Sequence, residues 1–159
     1  MGKIEVIFIS GRSLFDTTVK IITNSKWSHV GIYMLGGIVD ALMPVVRISP
    51  SDRYANCHFE IIGVTVPNLN AAYQEALNLI GTPYGLFTDC VNGSLYKLIG
   101  ISRKGNGRRT VNCSEAVTRI LRAGGLSILS DVPADCLTPK CLYEVLKQNS
   151  AMNNPRSFL

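Results

Sequence analysis

The hydrophobic and polar positions along the chain follow two periods, and each period predicts one kind of element. Short apolar runs and strict alternation are typical of strands, whereas apolar residues three or four positions apart are typical of helices. The predicted strands span residues 4–9, 28–34, 37–42, 45–48 and 59–66, and the predicted helices span residues 14–23, 68–80, 112–123 and 138–148. We interpret residues 84–99 as a mixed, partly helical stretch, residues 100–109 as a loop and the tail from residue 149 as polar and loose.

The order of these elements is one helix, several antiparallel strands and then mostly helix, which is an α+β pattern. We therefore predict a small antiparallel sheet of about five strands packed against helices. The whole chain, residues 1–159, is expected to be a single domain with its core at about residues 4–146. Hydrophobic residues make up 47% of the chain and charged residues 17%, which is typical of a globular protein and not of a disordered one.

Charge narrows the choice of partner only partly. The formal net charge is +5 and the isoelectric point is near 9.1. A basic surface is compatible with an anionic envelope polymer or a membrane surface, and we do not expect nucleic acid as a partner. The basic run at residues 103–109 is interpreted as a solvated loop. No signal peptide or spanning apolar run is visible, so we expect a cytoplasmic location, with virion association or release to the envelope as alternatives.

The chain has five cysteines at irregular spacing and no C-x-x-C pair. An odd count without paired spacing argues against both a disulfide framework and a zinc ribbon. We therefore expect a reducing compartment, no structural metal and no cofactor.

Cys113 is the candidate nucleophile because it begins a strongly predicted helix. Asn112 followed by Glu115 has the spacing of a capping box, which would put the sulfur beside free backbone N–H groups and the positive end of the helix dipole. Both features stabilise a thiolate and can hold an oxyanion. Cys113, Val117 and Leu121 recur on one stripe, which is expected to face the sheet.

A buried structural cysteine is the competing interpretation of Cys113, and by itself the pattern favours neither. The remaining cysteines are interpreted as core residues. Cys141 also lies early in a predicted helix and is the natural control.

His29 is the candidate base, and it is one of only two histidines. Alternation places Val30 and Ile32 on the inward face of their strand and His29 with Gly31 on the other, where we expect a covering helix to complete a site. An ordinary surface or hydrogen-bonded histidine is the competing interpretation. His58 is interpreted as an ordinary histidine.

Asp40 is the candidate group that orients His29, because it lies in an otherwise apolar strand where a carboxylate needs a partner. The register of the hairpin decides whether Asp40 can reach His29. A turn at residues 36–37 would put Asp40 opposite Tyr33, about 13 Å along the strand from His29. A turn at residues 35–36 would put Asp40 opposite Gly31 and diagonal to His29. An aspartate bonded to turn amides or to Tyr33 is the competing interpretation.

These residues resemble a known family. Residues 24–33 (NSKWSHVGIY) are similar to the histidine motif of NlpC-type papain-like enzymes, and residues 112–117 (NCSEAV) are similar to their cysteine motif. In ordinary members the cysteine helix precedes the histidine strand, whereas here the histidine comes first. That order resembles the circularly permuted YiiX-like group, which has bacterial, phage and poxvirus members. The third catalytic position of that group falls near Asp40.

Two flanking segments add to the resemblance, which covers roughly residues 4–146. Residues 81–85 (GTPYG) resemble the G-x-P-Y segment of the group, and residues 137–143 (LTPKCLY) resemble its closing T-P-x-x-L-Y element. The chain departs from the group at Gly85, where an aspartate is common.

The resemblance implies a permuted papain-like fold and a thiol hydrolase of amide or peptide bonds, with peptidoglycan-type peptides as substrates in many relatives. Cys113, His29 and Asp40 would form the triad, and the Cys113 N–H would contribute to the oxyanion hole. Candidate substrate-binding residues are Tyr84, Tyr33 and Ser114.

Three other functions remain open. The first is a lipid acyltransferase or lipase similar to lecithin:retinol acyltransferase, which also has its histidine before its cysteine. The second is a binding module without catalysis. The third is a metal site formed by His29, Asp40 and Cys113, which has no recognised ligand spacing.

Overall fold

The computed structural model describes residues 1–85, 110–127 and 130–153. The predicted mixed stretch beyond residue 85, the predicted loop at residues 100–109 and its basic run lie outside the described residues. Within them, no helix combines the length and the apolar character that crossing a membrane requires.

The described chain contains five strands and four helices. The strands are β1 (Gly2–Ser10), β2 (His29–Met34), β3 (Gly37–Ala41), β4 (Val46–Ser49) and β5 (His58–Val66). The helices are α1 (Leu14–Thr23), α2 (Leu69–Leu79), α3 (Cys113–Ala123) and α4 (Pro139–Asn153), with a short 3₁₀ helix at Ala134–Cys136. All strands pair antiparallel in the order β4-β3-β2-β1-β5, so the predicted α+β fold with a small antiparallel sheet is confirmed.

The end of α4 corrects one expectation. The helix continues to Asn153, so the prediction of a loose tail from residue 149 is wrong up to that point. Side chains of the supposed tail bond back to the preceding turn: Asn149 Nδ2 donates to the Val145 carbonyl at 2.9 Å, and the Ser150 hydroxyl donates to the Lys147 carbonyl at 3.0 Å. Polar residues can therefore extend a helix whose apolar positions are already anchored in the core.

The β2–β3 hairpin has the second of the two registers considered. Its turn lies at Leu35 and Gly36, whose φ angles are 57° and 79°, as a type I′ turn requires. Gly37 belongs to the strand, where it pairs with Met34. A larger residue would not fit there, because a Cβ would lie 2.5 Å from the Ser49 carbonyl oxygen of β4. Ile32 pairs with Val39, Tyr33 with Ile38 and Met34 with Gly37. In this register Asp40 follows the last pair on β3 and Gly31 precedes it on β2.

The main core lies between one face of the sheet and the helices. Val30 and Ile32 of β2 pack there with Val117 and Leu121 of α3, which confirms the predicted inward stripe of that helix. A smaller cluster lies on the opposite face.

The smaller cluster corrects a second expectation. We expected the face of β2 that carries His29 and Gly31 to lie against the covering helix. Instead, a Cβ at Gly31 would meet Ile38 at 2.7 Å, on the face opposite α3. His29 still approaches α3 because it is the first residue of β2, so its ring lies at the end of the strand and not in the middle of a face.

Candidate active site

The first turn of α3 carries the candidate nucleophile. Asn112 is the N-cap, and its side-chain oxygen accepts from the Glu115 N–H at 2.8 Å, which forms the Asn112 half of the predicted capping box. Cys113 is the first helical residue, is free, and is 6% exposed. Its sulfur contacts the backbone of Val30 and the side chain of Ser114. The helix start therefore presents the thiol toward the end of β2.

His29 lies between the thiol and a carboxylate. Its Nε2 atom is 2.5 Å from Asp40 Oδ1, and its ring also forms a hydrogen bond with Cys113. Since Nε2 is bonded to Asp40, Nδ1 is the ring nitrogen left for the sulfur. His29 is 6% exposed and Asp40 is fully buried.

Asp40 has a complete set of hydrogen-bond partners on its second oxygen. Oδ2 accepts from the Ser49 hydroxyl at 3.0 Å and from the Tyr54 hydroxyl at 2.7 Å. The Nε atom of Arg53 lies 3.7 Å from the same oxygen. This arrangement holds a buried carboxylate charged and oriented toward the imidazole.

Sequence reasoning missed Ser49, Arg53 and Tyr54. Ser49 ends β4, whereas Arg53 and Tyr54 lie in the polar connection between β4 and β5. Neither helix nor strand periodicity extends into that connection, so no pattern in the sequence associates it with Asp40. The Tyr54 ring also lies 5.8 Å from the His29 ring.

Burial and charge shift the pKa values of the two reactive groups, Cys113 and His29, in opposite directions. Burial raises the pKa of the Cys113 thiol, but the charge and hydrogen bond of His29 outweigh it and lower this pKa overall. Burial would lower the pKa of His29, but the sulfur of Cys113 and the carboxylate of Asp40 raise it. The pair therefore favours thiolate and imidazolium over the neutral forms.

The carboxyl group that supports this pair is itself kept charged. Burial raises the pKa of Asp40, yet the hydrogen bond and charge of His29, together with the hydroxyls of Tyr54 and Ser49, lower it overall. Conversely, burial and the charge of Asp40 raise the pKa of Tyr54, so this phenol stays protonated as a donor.

A groove of about 410 Å³ opens beside His29. The α1 side contributes Ser13, Asp16 and Ser28, and the β4 side contributes Arg47 and Arg53; the rest of the lining is Leu42, Met43 and Tyr84. This volume is within the range of small-molecule and short-peptide sites.

The predicted substrate-binding residues have three different placements. Tyr84 lines the groove. Tyr33 does not: its hydroxyl donates to the Ser51 carbonyl at 3.4 Å, and it is four residues along β2 from His29. Ser114 is 1% exposed and contacts Cys113, so it supports the thiol and does not offer a surface to substrate.

The structure also gives the position of the second histidine and bears on the hypothesis of a metal site. His58 stacks on Trp27 at 5.9 Å between ring centroids and does not belong to the groove lining. Among residues 1–85, 110–127 and 130–153, no group of three or more histidine, cysteine or acidic side chains is arranged to hold a metal ion.

Comparison of the sequence with known protein families and with curated proteins finds no match.

Proposed function

We propose that this chain is a cysteine-nucleophile hydrolase of amide or peptide bonds, with Cys113 as nucleophile, His29 as base and Asp40 as the group that orients the base. One observation carries the proposal: the His29 imidazole bonds Asp40 through one nitrogen and has the Cys113 thiol on its other side. This order of nucleophile, base and orienting group is the arrangement that thiol hydrolases require.

The proposed reaction has two steps. The Cys113 thiolate attacks the acyl carbon, a C–S bond forms, and the bond to the leaving amine breaks as His29 donates its proton to the amine nitrogen. Water then attacks the thioester, His29 takes a proton from that water, and the acid leaves as the thiol is restored. Asp40 holds the imidazole in position and stabilises its charged form throughout.

The helix start supports the same reaction. Cys113 is the first residue of α3, so its own N–H is among those without a partner inside the helix. An oxyanion formed at the attacked carbonyl would lie beside this N–H and the positive end of the helix dipole.

The family and the substrate class are part of the proposal. A histidine strand that precedes a cysteine helix, with the helix packed on an antiparallel sheet, is the arrangement of the permuted NlpC-type papain-like group. We therefore propose a peptide, such as a peptidoglycan stem peptide, as the substrate. For location the proposal retains both predicted settings, the cytoplasm and delivery to the envelope.

A trapped acyl-enzyme tests the proposal. The protein is incubated with a panel of muropeptides, simple peptide amides and short acyl lipids, quenched in acid and mapped by mass spectrometry. We expect an acyl adduct on Cys113 from at least one amide substrate. An adduct formed only by acyl lipids would favour the acyltransferase interpretation instead.

The matched control uses the other helix-start cysteine. Cys113→Ala should abolish both the adduct and turnover, a loss of at least about 10³-fold, with unchanged circular dichroism and Tm. Cys141→Ala should retain both. Turnover that survives in folded Cys113→Ala would refute the role of this thiol.

A further inference from the structure

The groove beside His29 carries opposite charges on its two sides. Asp16 lies on the α1 side, and Arg47 and Arg53 lie on the β4 side. The groove lining therefore presents a carboxylate from one element and two guanidinium groups from another. A substrate that occupies the groove must match these charges.

The carboxylate of Asp16 already accepts hydrogen bonds at the start of its own helix. Its carboxylate accepts from the Ser13 hydroxyl at 2.5 Å and from the Ser13 N–H at 3.1 Å, which forms the capping box of α1. A glycine at position 11 allows this arrangement, because a Cβ there would overlap the Asp16 carboxylate. The negative charge of this side is therefore fixed in place and already hydrogen-bonded.

Arg47 differs from Asp16 in its hydrogen-bond partners. Its cross-strand partner in β3 is Asp40, but the oxygens of Asp40 accept from His29, Ser49 and Tyr54. No hydrogen bond or ion pair of Arg47 is present among the residues that the structure describes. An arginine that lines a groove without a partner has its full set of donors available for a ligand.

The distance from Arg47 to the reacting centre suits a short peptide. Arg47 lies on β4, two strands from the β2 strand of His29, which corresponds to about 10 Å at ordinary strand spacing. About three extended residues would span that distance between the strand backbones. Because the long side chain of Arg47 covers part of it, one or two substrate residues suffice. The apolar side chains of Leu42 and Met43 line the same groove.

We propose that Arg47 is a specificity-determining residue that binds a carboxylate of the substrate, one or two residues away from the bond that Cys113 attacks. The assignment rests on the proposed function, and it names the substrate class more narrowly: peptides with a free carboxylate close to the scissile bond. The planar fork of arginine matches a carboxylate in two parallel hydrogen bonds.

Affinity alkylation tests the assignment without a known substrate. The reagents are N-bromoacetyl-glycine and N-bromoacetyl-glycylglycine, each compared with its own terminal amide, which has nearly the same size and no charge. At one of these lengths, we expect the carboxylate reagent to alkylate Cys113 about tenfold to a hundredfold faster than its amide at low concentration, as for a hydrogen bond to a charged group.

Three variants give the controls. Arg47→Gln should remove the preference for the carboxylate, so that each acid reacts at the rate of its own amide, and Arg47→Lys should restore part of the preference. Arg12→Gln removes the same charge from an exposed position outside the groove lining, so it should keep the preference. An equal rate for acid and amide at both lengths, or a preference that survives Arg47→Gln, would overturn the assignment.

Two further outcomes are distinguishable. A bromoacetyl phosphoethanolamine reagent that reacts faster than both carboxylates would also overturn the assignment, because it would indicate a phosphate site. If none of the reagents alkylates Cys113 selectively over Cys141, the proposed function itself fails, together with the assignment that rests on it.

Discussion

Among the residues that the structure describes, two cysteines lie at the starts of α-helices, and they differ in whether a histidine contacts the sulfur. Cys113 is the first residue of α3 and forms a hydrogen bond with the His29 imidazole. Cys141 is in the first turn of α4, where its sulfur accepts from the Thr138 hydroxyl at 3.3 Å. Both sulfurs lie close to the positive end of a helix dipole.

The comparison separates what a helix start supplies from what a histidine supplies. A helix N-terminus lowers the free energy of a thiolate by a modest amount. An imidazole can in addition take the thiol proton and return it to a leaving group. Of these two cysteines, Cys113 is the one that combines a helix start with an imidazole, because the chain folds the end of β2 against the start of α3.

Removal of the imidazole is the largest change that the comparison predicts. His29→Gln should lower turnover by about 10²- to 10⁴-fold, the usual contribution of general acid–base catalysis, and should make Cys113 react like Cys141. His58→Gln is the matched control, since His58 stacks on Trp27 and is expected to leave turnover unchanged. Initial rates on the substrate found by acyl trapping measure both. Equal losses in the two variants would contradict the role of His29.

Neutralisation of the orienting carboxylate should have the next largest effect. The charge of Cys113 and the hydrogen bond and charge of Asp40 raise the pKa of His29. Asp40→Asn removes the Asp40 charge and therefore favours the neutral thiol–imidazole pair. We expect turnover to fall by about tenfold to a thousandfold, which corresponds to about one to three pKa units. The ¹⁵N chemical shifts of the imidazole, recorded against pH, should report a lower pKa for His29. An unchanged His29 titration would contradict the coupling.

The pH dependence of alkylation compares the two cysteines directly. Because the pKa of Cys113 is lowered, its thiolate should persist as the pH falls below about 8.5, the ordinary thiol value. With iodoacetamide at pH 6.5, Cys113 should react at least about tenfold faster than Cys141. This factor already allows for the lower nucleophilicity of a low-pKa thiolate. Peptide mapping gives both rates in one sample. In His29→Gln the rate at Cys113 should fall with pH through the ordinary thiol range.

The smallest effect concerns the hydroxyl that supports Asp40. Tyr54→Phe leaves the buried Asp40 Oδ2 with the Ser49 hydroxyl and loses the donor at 2.7 Å. We expect a loss of about 1–3 kcal/mol in the free energy of unfolding and a decrease in turnover of severalfold. Tyr33→Phe is the matched control, because within the described part of the chain its hydroxyl donates to the Ser51 carbonyl and not to Asp40. Chemical denaturation and initial rates measure the two effects, and equal values for both variants would contradict the role of Tyr54.

Much of the fold could be predicted because its signals are local. The alternation of β1 and β5 and the apolar stripe of α3 predicted these elements within one or two residues of their ends. The cap of α3 was also visible, since Asn112 precedes this helix with the expected spacing to Glu115. The continuation of α4 to Asn153 was missed because polar side chains there bond to the helix itself.

The candidate site could be predicted only in part. Cys113 and His29 have distinctive neighbours in sequence, whereas Ser49, Arg53 and Tyr54 have none. Tyr33 was grouped with His29 because alternation puts them on one face, yet alternation does not limit how far apart along a strand two residues lie.

The sequence by itself determined which residues form helices and strands, because period, capping and turn preferences act between residues close together in the chain. The tertiary structure alone decided the hairpin register, in which Leu35 takes a left-handed conformation and Gly37 fits against the Ser49 carbonyl. That register aligns Asp40 with the end of β2, where His29 lies. Contacts of this kind join residues far apart in the chain, so no local pattern specifies them.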